Sequence, residues 1–191
     1  MMRRWISLGL LFVLVLTGCI WSDQSQAKRT VDGYMQEIQQ GNFEEAEQYC
    51  SKKFNKTSSL SSYKKTVDTI AKESNYSENE KEAFEQYVLH VIQQQYSGYS
   101  FDQVQQNDKE CIVTLKVEGV SSEDLSTIDI QTMEEDLKKE IFNTQSEEYI
   151  VAYFNALSQQ VDRLPKSDTL TYFVLEKEGD QWKITSMVNE S

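Results

Sequence analysis

The sequence predicts an α+β fold, helix-rich, with helices packed on an antiparallel sheet of about four strands. Two observations carry this. Apolar residues recur at helical spacing through most of residues 31–95 and again from Ser121 to Arg163. They alternate with period two in two later blocks, around residues 99–118 and 169–188, each interrupted by a turn signal. Strands joined by short turns pair antiparallel, which gives two hairpins.

The first residues form a separate unit. Arg3 and Arg4 are followed by an apolar run from Trp5 to Leu16, broken only by Ser7 and Gly9. A charged start, a short apolar segment and small residues at its end describe a secretory signal. A membrane-spanning helix needs about 20 apolar residues. A generous count from Trp5 to Trp21 gives 17, interrupted by Thr17 and Gly18. The run Leu16-Thr17-Gly18-Cys19 closes the segment and resembles the bacterial lipobox at all four positions. That resemblance implies cleavage before Cys19 and a thioether-linked diacylglycerol on its sulfur. Two acyl chains anchor stably where one is marginal. The expected organisation is a signal over residues 1–18, lipidated Cys19 with a polar tether over 19–27, and a single α+β domain over 28–191.

Loss of residues 1–18 removes two arginines and no acid, so the formal charge falls from −12 to −14. Such acidity argues against nucleic acid, whose binding rests on cationic side chains. It also argues against electrostatic adhesion to anionic lipid, so membrane contact must come from the anchor. Cys50 and Cys111 remain besides Cys19. Export permits a disulfide between them, but both fall on apolar faces, where free cysteine packs as a small hydrophobe. Buried thiols are the favoured reading. Neither has the paired spacing of a zinc site.

Taken in order, Val31, Tyr34, Met35 and Ile38 share one helix face, and Gly41-Asn42 ends that helix. A second short helix turns Phe43, Ala46, Tyr49 and Cys50 inward, with Glu44, Glu45 and Glu47 outward. Residues 56–62 read as a polar connection. Tyr63, Val67 and Ile70 mark a third helix. Ser77 to Glu80 forms a capping box that opens a fourth, carrying Phe84, Tyr87, Val88 and Val91 and stopped by Gly98. Strands follow over Tyr99–Val104 and Glu110–Glu118, turned at Asn107-Asp108. Ser121 to Arg163 is helical, but one unbroken helix would reach about 60 Å at 1.5 Å per residue. The break is placed at a second capping box, Thr144 to Glu147. Met133, Leu137 and Ile141 lie before it; Ile150, Tyr153, Phe154, Leu157 and Val161 lie after, and Pro165 ends the run. A last hairpin pairs Thr169–Lys177 with Trp182–Val188 around Glu178-Gly179-Asp180.

Two segments resemble one family. The opening from Val31 to Ala46, with its amphipathic helix and Gly41-Asn42 break, is similar to the start of nuclear transport factor 2-like domains. Leu175 to Ile184, with its acidic-glycine turn and Trp182-Lys183-Ile184, is similar to their closing hairpin. The resemblance implies a curved sheet wrapped around helices as a cone with an apolar pocket. Many lipoproteins of Gram-positive bacteria join such a domain to a lipobox. The helix-rich middle, Ser121 to Leu164, departs from the pattern, in a place where it would fill or lid the cone. The family includes enzymes, carriers and structural subunits, so the fold does not choose among them.

Little in the sequence announces chemistry. His90 is the single histidine, and its position opposite Phe84, Val88 and Val91 marks it as solvated. No nucleophile-elbow pattern accompanies any serine. The clusters Glu44, Glu45, Glu47 and Glu134, Glu135, Asp136 occupy outward helix positions. No oxygen-rich calcium loop is present, and no metal or cofactor is expected. Tyr34, Tyr87, Tyr153, Tyr172 and Trp182 read first as core, and Phe154, Tyr172 and Trp182 are weak pocket candidates. Asn55-Lys56-Thr57 matches a glycosylation sequon, without meaning in most bacteria. The functional expectation is a lipid-anchored protein on the extracytoplasmic face of the cell membrane, with a non-catalytic domain that binds or assembles a protein, cell-wall or small apolar partner. The alternatives are an enzyme using Asp168 or Glu176 beside Tyr172, and a subunit that dimerises through an open sheet face.

Overall fold

A computed structural model describes residues 23–54, 62–107 and 109–190 of the chain. The lipobox with Cys19, the apolar stretch before it, the sequon at residues 55–57 and Asp108 lie outside the described residues.

Helix α1 covers residues 23–40. Its stripe of Ala27, Val31, Tyr34, Met35 and Ile38 is buried throughout. Each of the larger aliphatic members contributes about 1.5–3 kcal/mol by leaving water. The tether expected up to residue 27 is thereby corrected, because residues 23–27 are already helical and Ala27 is fully buried. The physical reason is periodicity. Ala27 stands one turn before Val31 on the same face, while Gln24, Ser25 and Gln26, which suggested a tether, lie off that face. Gly41, at φ 79°, takes the left-handed conformation that ends the helix.

Helix α2 (Phe43–Ala46) runs into a 3₁₀ turn over Glu47–Tyr49. Helix α3 (Ser62–Glu73) buries Val67 and Ala71, whereas Ile70 is exposed, so the inward face is rotated from the expected one. Helix α4 (Glu78–Gln95) opens on the expected capping box, with both reciprocal bonds between Ser77 and Glu80 present. It ends at Gln95, and Gly98 begins the next strand instead of stopping the helix.

Four strands form one antiparallel sheet in sequence order: β1 (Gly98–Gln106), β2 (Glu110–Gly119), β3 (Ser167–Glu178) and β4 (Gln181–Asn189). The inward faces align in register, with Val113 opposite Phe173 and Cys111 opposite Leu175. Register shifts fall between Phe101 and Gln103 and between Val174 and Leu175. Each inserts an extra residue, Asp102 in β1 and Thr185 in β4, and such bulges bend the strand that carries them. Asn107 accepts the backbone N–H groups of Lys109 and Glu110 in the first turn. Gly179, at φ 65°, makes the second.

Between β2 and β3 lie three helices: α5 (Ser122–Leu125), α6 (Ile130–Glu140) and α7 (Glu147–Val161). The break before α6, capped by Asp129, escaped the periodicity because Leu125 and Ile128 continue an apolar rhythm across it. The cap of α7 is Ser146, whose hydroxyl accepts the Tyr149 N–H, and not the expected Thr144. Helices α6 and α7 neither fill nor lid the sheet. They pack with α4 as a separate cluster of Met133, Phe154 and Leu157 with Tyr76, Phe84 and Tyr87, while α5 stays at the sheet end. The main cluster joins α1 to the sheet through Val31, Met35, Leu115, Phe173, Leu175 and Ile184.

Candidate functional site

The three pocket candidates are not brought together. Phe154 is buried between α4 and α7, with the rings of Phe84, Tyr76 and Tyr87 centred 5.1, 5.9 and 6.0 Å away. Trp182 belongs to the main core, under the Lys177 ammonium at 5.2 Å from its ring centre. Tyr172 falls on the opposite sheet face from its neighbours Thr171 and Phe173, as strand alternation requires. Its hydroxyl donates to Glu190 at 3.1 Å. Asp168 and Glu176 share that outer face with it, and each meets a lysine: Lys116 at 2.7 Å and Lys53 at 2.6 Å.

His90 is corrected too. Its Nε2 lies 2.9 Å from Asp162 at the end of α7, so it ties two helices together instead of standing free in solvent. This contact arises because α4 and α7 run parallel, with Glu147 of α7 accepting from Ser77 and Asn79 at the other end. Cys50 and Cys111 are free thiols, half-buried and buried. Desolvation pushes Cys50 up to about 12 and Cys111 up to about 11, which leaves both unreactive at neutral pH. The acid cluster on α6 is solvated and locally paired, Glu134 with Lys138 and Asp136 with Lys139.

A candidate site lies at one end of the sheet. A cleft of about 440 Å³ opens where the end of α4 meets the end of β2, and Tyr96, Val117, Val120, Thr171 and Asn189 line it. Clefts of this size hold small ligands. Gly119 makes the approach possible, since any Cβ there would collide with the Gln95 carbonyl. On the floor Thr171, fully buried, donates from its hydroxyl to Asn189 Oδ1 at 3.0 Å. Burial pushes the neighbouring Tyr96 phenol up, and the Asn189 side chain offsets part of that rise. Glu123 and Glu190 stand at the rim. This arrangement can recognise a polar group by hydrogen bonds, with carboxylates that favour donors or a positive charge. Sequence reading missed it. The available signal was Thr171, a polar residue in the inward register of Phe173 and Leu175.

A second cleft, of about 430 Å³, lies at the opposite end, between α1 (Gln26, Arg29, Thr30), Tyr49 and the β4 start at Gln181-Trp182. The Thr30 hydroxyl donates to the Trp182 carbonyl at 3.2 Å. Two buried polar atoms at this end, Trp182 Nε1 and Gln106 Oε1, have no hydrogen-bond partner among the described residues. Each such atom costs about 1–3 kcal/mol.

No helix among the described residues is long and apolar enough to cross a membrane. Among them, no group of three or more histidine, cysteine or acidic residues is placed to hold a metal. No family model and no curated protein matches the chain. A solved structure of a lipoprotein candidate, ycdA, from Bacillus subtilis is similar at a TM-score of 0.44 and 19% identity. The match covers 63% of this chain and 39% of that one.

Proposed function

We propose that this chain is an extracytoplasmic lipoprotein, held at the cell membrane by lipid on Cys19, whose α+β domain binds or assembles with a partner without catalysis. The observation that carries the reading is Leu16-Thr17-Gly18-Cys19 at the end of a short apolar run behind two arginines. One further feature supports it: the sheet-end cleft presents hydrogen-bonding groups beside apolar side chains. The partner of that cleft is a small polar molecule, or a polar side chain of a protein or wall component. We include in this proposal the nuclear transport factor 2-like resemblance of residues 31–46 and 175–184. Mass analysis of the mature N-terminus tests the anchor. The expected species begins at Cys19 and carries a diacylglyceryl group; an unmodified Cys19 or a retained Met1 overturns it.

A second reading, a subunit that dimerises through its sheet, is favoured by one observation. The outer face carries Ile112, Leu170, Tyr172 and Val174, all partly exposed, beside Val188 at 56% exposure. A monomer in sedimentation equilibrium at high concentration would dismiss it.

A further inference from the structure

We infer that the end of the sheet carrying the two hairpin turns lies against the bilayer, and that the Tyr96–Asn189 cleft therefore opens away from it. This rests on the proposal that Cys19 is lipidated. The first described residue of α1, Asp23, is fixed to that end of the sheet, since its carboxylate pairs with Lys177 at 2.8 Å. Lys177 is two residues from the β3–β4 turn, and the β1–β2 turn stands beside it, because Glu110 pairs with Glu176 in the ladder. Cys19 precedes Asp23 by four residues. Whatever conformation the intervening residues take, covalent geometry caps that span at about 14 Å. A lipid on Cys19 therefore holds the turn end at the headgroups. The ten-residue strand β2 runs from there to Gly119. At about 3.3 Å per residue, this puts the cleft about 30 Å further out.

Charge supports the same orientation. Five lysines stand at the turn end: Lys52, Lys53, Lys109, Lys177 and Lys183. Arg29 joins them beside Asp180 and Lys183. The described carboxylates at this end are Asp23, Glu47, Glu110, Glu176, Glu178 and Asp180, and Asp23 and Glu176 are ion-paired. Among the described residues this end is thus close to neutral, while the mature chain carries −14, so most of the acid excess lies elsewhere on the domain. An anionic bilayer repels the acidic remainder and tolerates the balanced end, over a screening length of about 8–10 Å. The partner surface here is the lipid headgroup layer.

The test uses the processed, lipidated chain in vesicles of phosphatidylglycerol and phosphatidylcholine that carry a headgroup quencher. On a Cys50→Ser background, a fluorophore is attached at Asp180→Cys beside the turn or at Ser122→Cys beside the cleft, both exposed positions. Quenching severalfold stronger at residue 180 than at residue 122 is expected. A long glycine–serine linker inserted between Ser22 and Asp23 should erase most of that difference. Equal or reversed quenching in a vesicle-bound chain overturns the orientation while the anchor stands. A chain that fails to float with vesicles, or lacks the diacylglyceryl mass, overturns the anchor and the orientation with it.

Discussion

Asp23 and Lys177 form an ion pair at 2.8 Å across 154 residues of sequence, closing the first described turn of α1 onto the end of β3. Lys177 simultaneously covers the Trp182 ring. The pair is partly exposed, so its own worth is about 0.2–1 kcal/mol. Asp23→Asn should therefore shift the urea midpoint only slightly. It should speed amide hydrogen exchange in the first turn of α1 and leave the centre of β3 unchanged. Equal acceleration throughout the sheet would show that the pair holds more than the helix start.

Gly119 is required by close approach and not by backbone conformation. A Cβ at this position meets the carbonyl of Gln95, a backbone group that cannot swing aside. Gly119→Ala should cost about 1–3 kcal/mol, the usual range for overpacking. Urea unfolding would measure it. The Tyr96 environment should change as well, because Tyr96 follows Gln95 directly. A neutral Gly119→Ala would mean that the α4 end has room to retreat.

The two apolar clusters should respond separately to truncation. Phe173 is fully buried in the main core. Phe173→Ala should cost about 3–5 kcal/mol and loosen the whole sheet. Phe154→Ala removes the ring at the centre of the second cluster. Its loss should be felt first in α4, α6 and α7, with β2 and β3 still protected in hydrogen exchange. Uniform loss of protection would show that the clusters unfold as one unit.

The buried thiols and phenols predict alkaline sensitivity. Folding raises Cys111 to about 11 and Cys50 to about 12 from an ordinary 9.0, chiefly by desolvation. Tyr99 rises to about 12 through burial and its hydrogen bond to Asp32. An acid whose folded value is raised stabilises the fold fully below its unfolded value and loses that contribution as pH climbs towards the folded one. Stability should thus be flat in this respect below about pH 9 and fall through about 9–12. Both thiols should react slowly with iodoacetamide at pH 8 in the folded chain and fast in urea. Rapid labelling of folded Cys111 would contradict its burial.

Much of the architecture was legible because it repeats. The stripe of Val31, Met35 and Ile38, the Ser77–Glu80 capping box and the alternation of Cys111, Val113 and Leu115 are local patterns, and each appears as an element where expected. Errors arose where locality failed. Ile70 and Ala71 are adjacent, and only the position of α2 and α4 decides which of them points inward. Asp129 and Ser146 cap helices that periodicity alone ran together or started early. His90 read as solvated because its partner Asp162 lies 72 residues away on a helix whose direction the sequence does not state.

By itself the sequence determined an α+β class and the two hairpins, since propensity, capping and period are encoded within a few neighbouring residues. Tertiary structure alone decided that Phe154, Tyr172 and Trp182 occupy three separate places. It also decided that Tyr96, Thr171 and Asn189 meet in a cleft and that Asp23 sits beside Lys177. Those relations join residues tens to more than a hundred positions apart. They are fixed by how helices pack on a sheet, which no local pattern records.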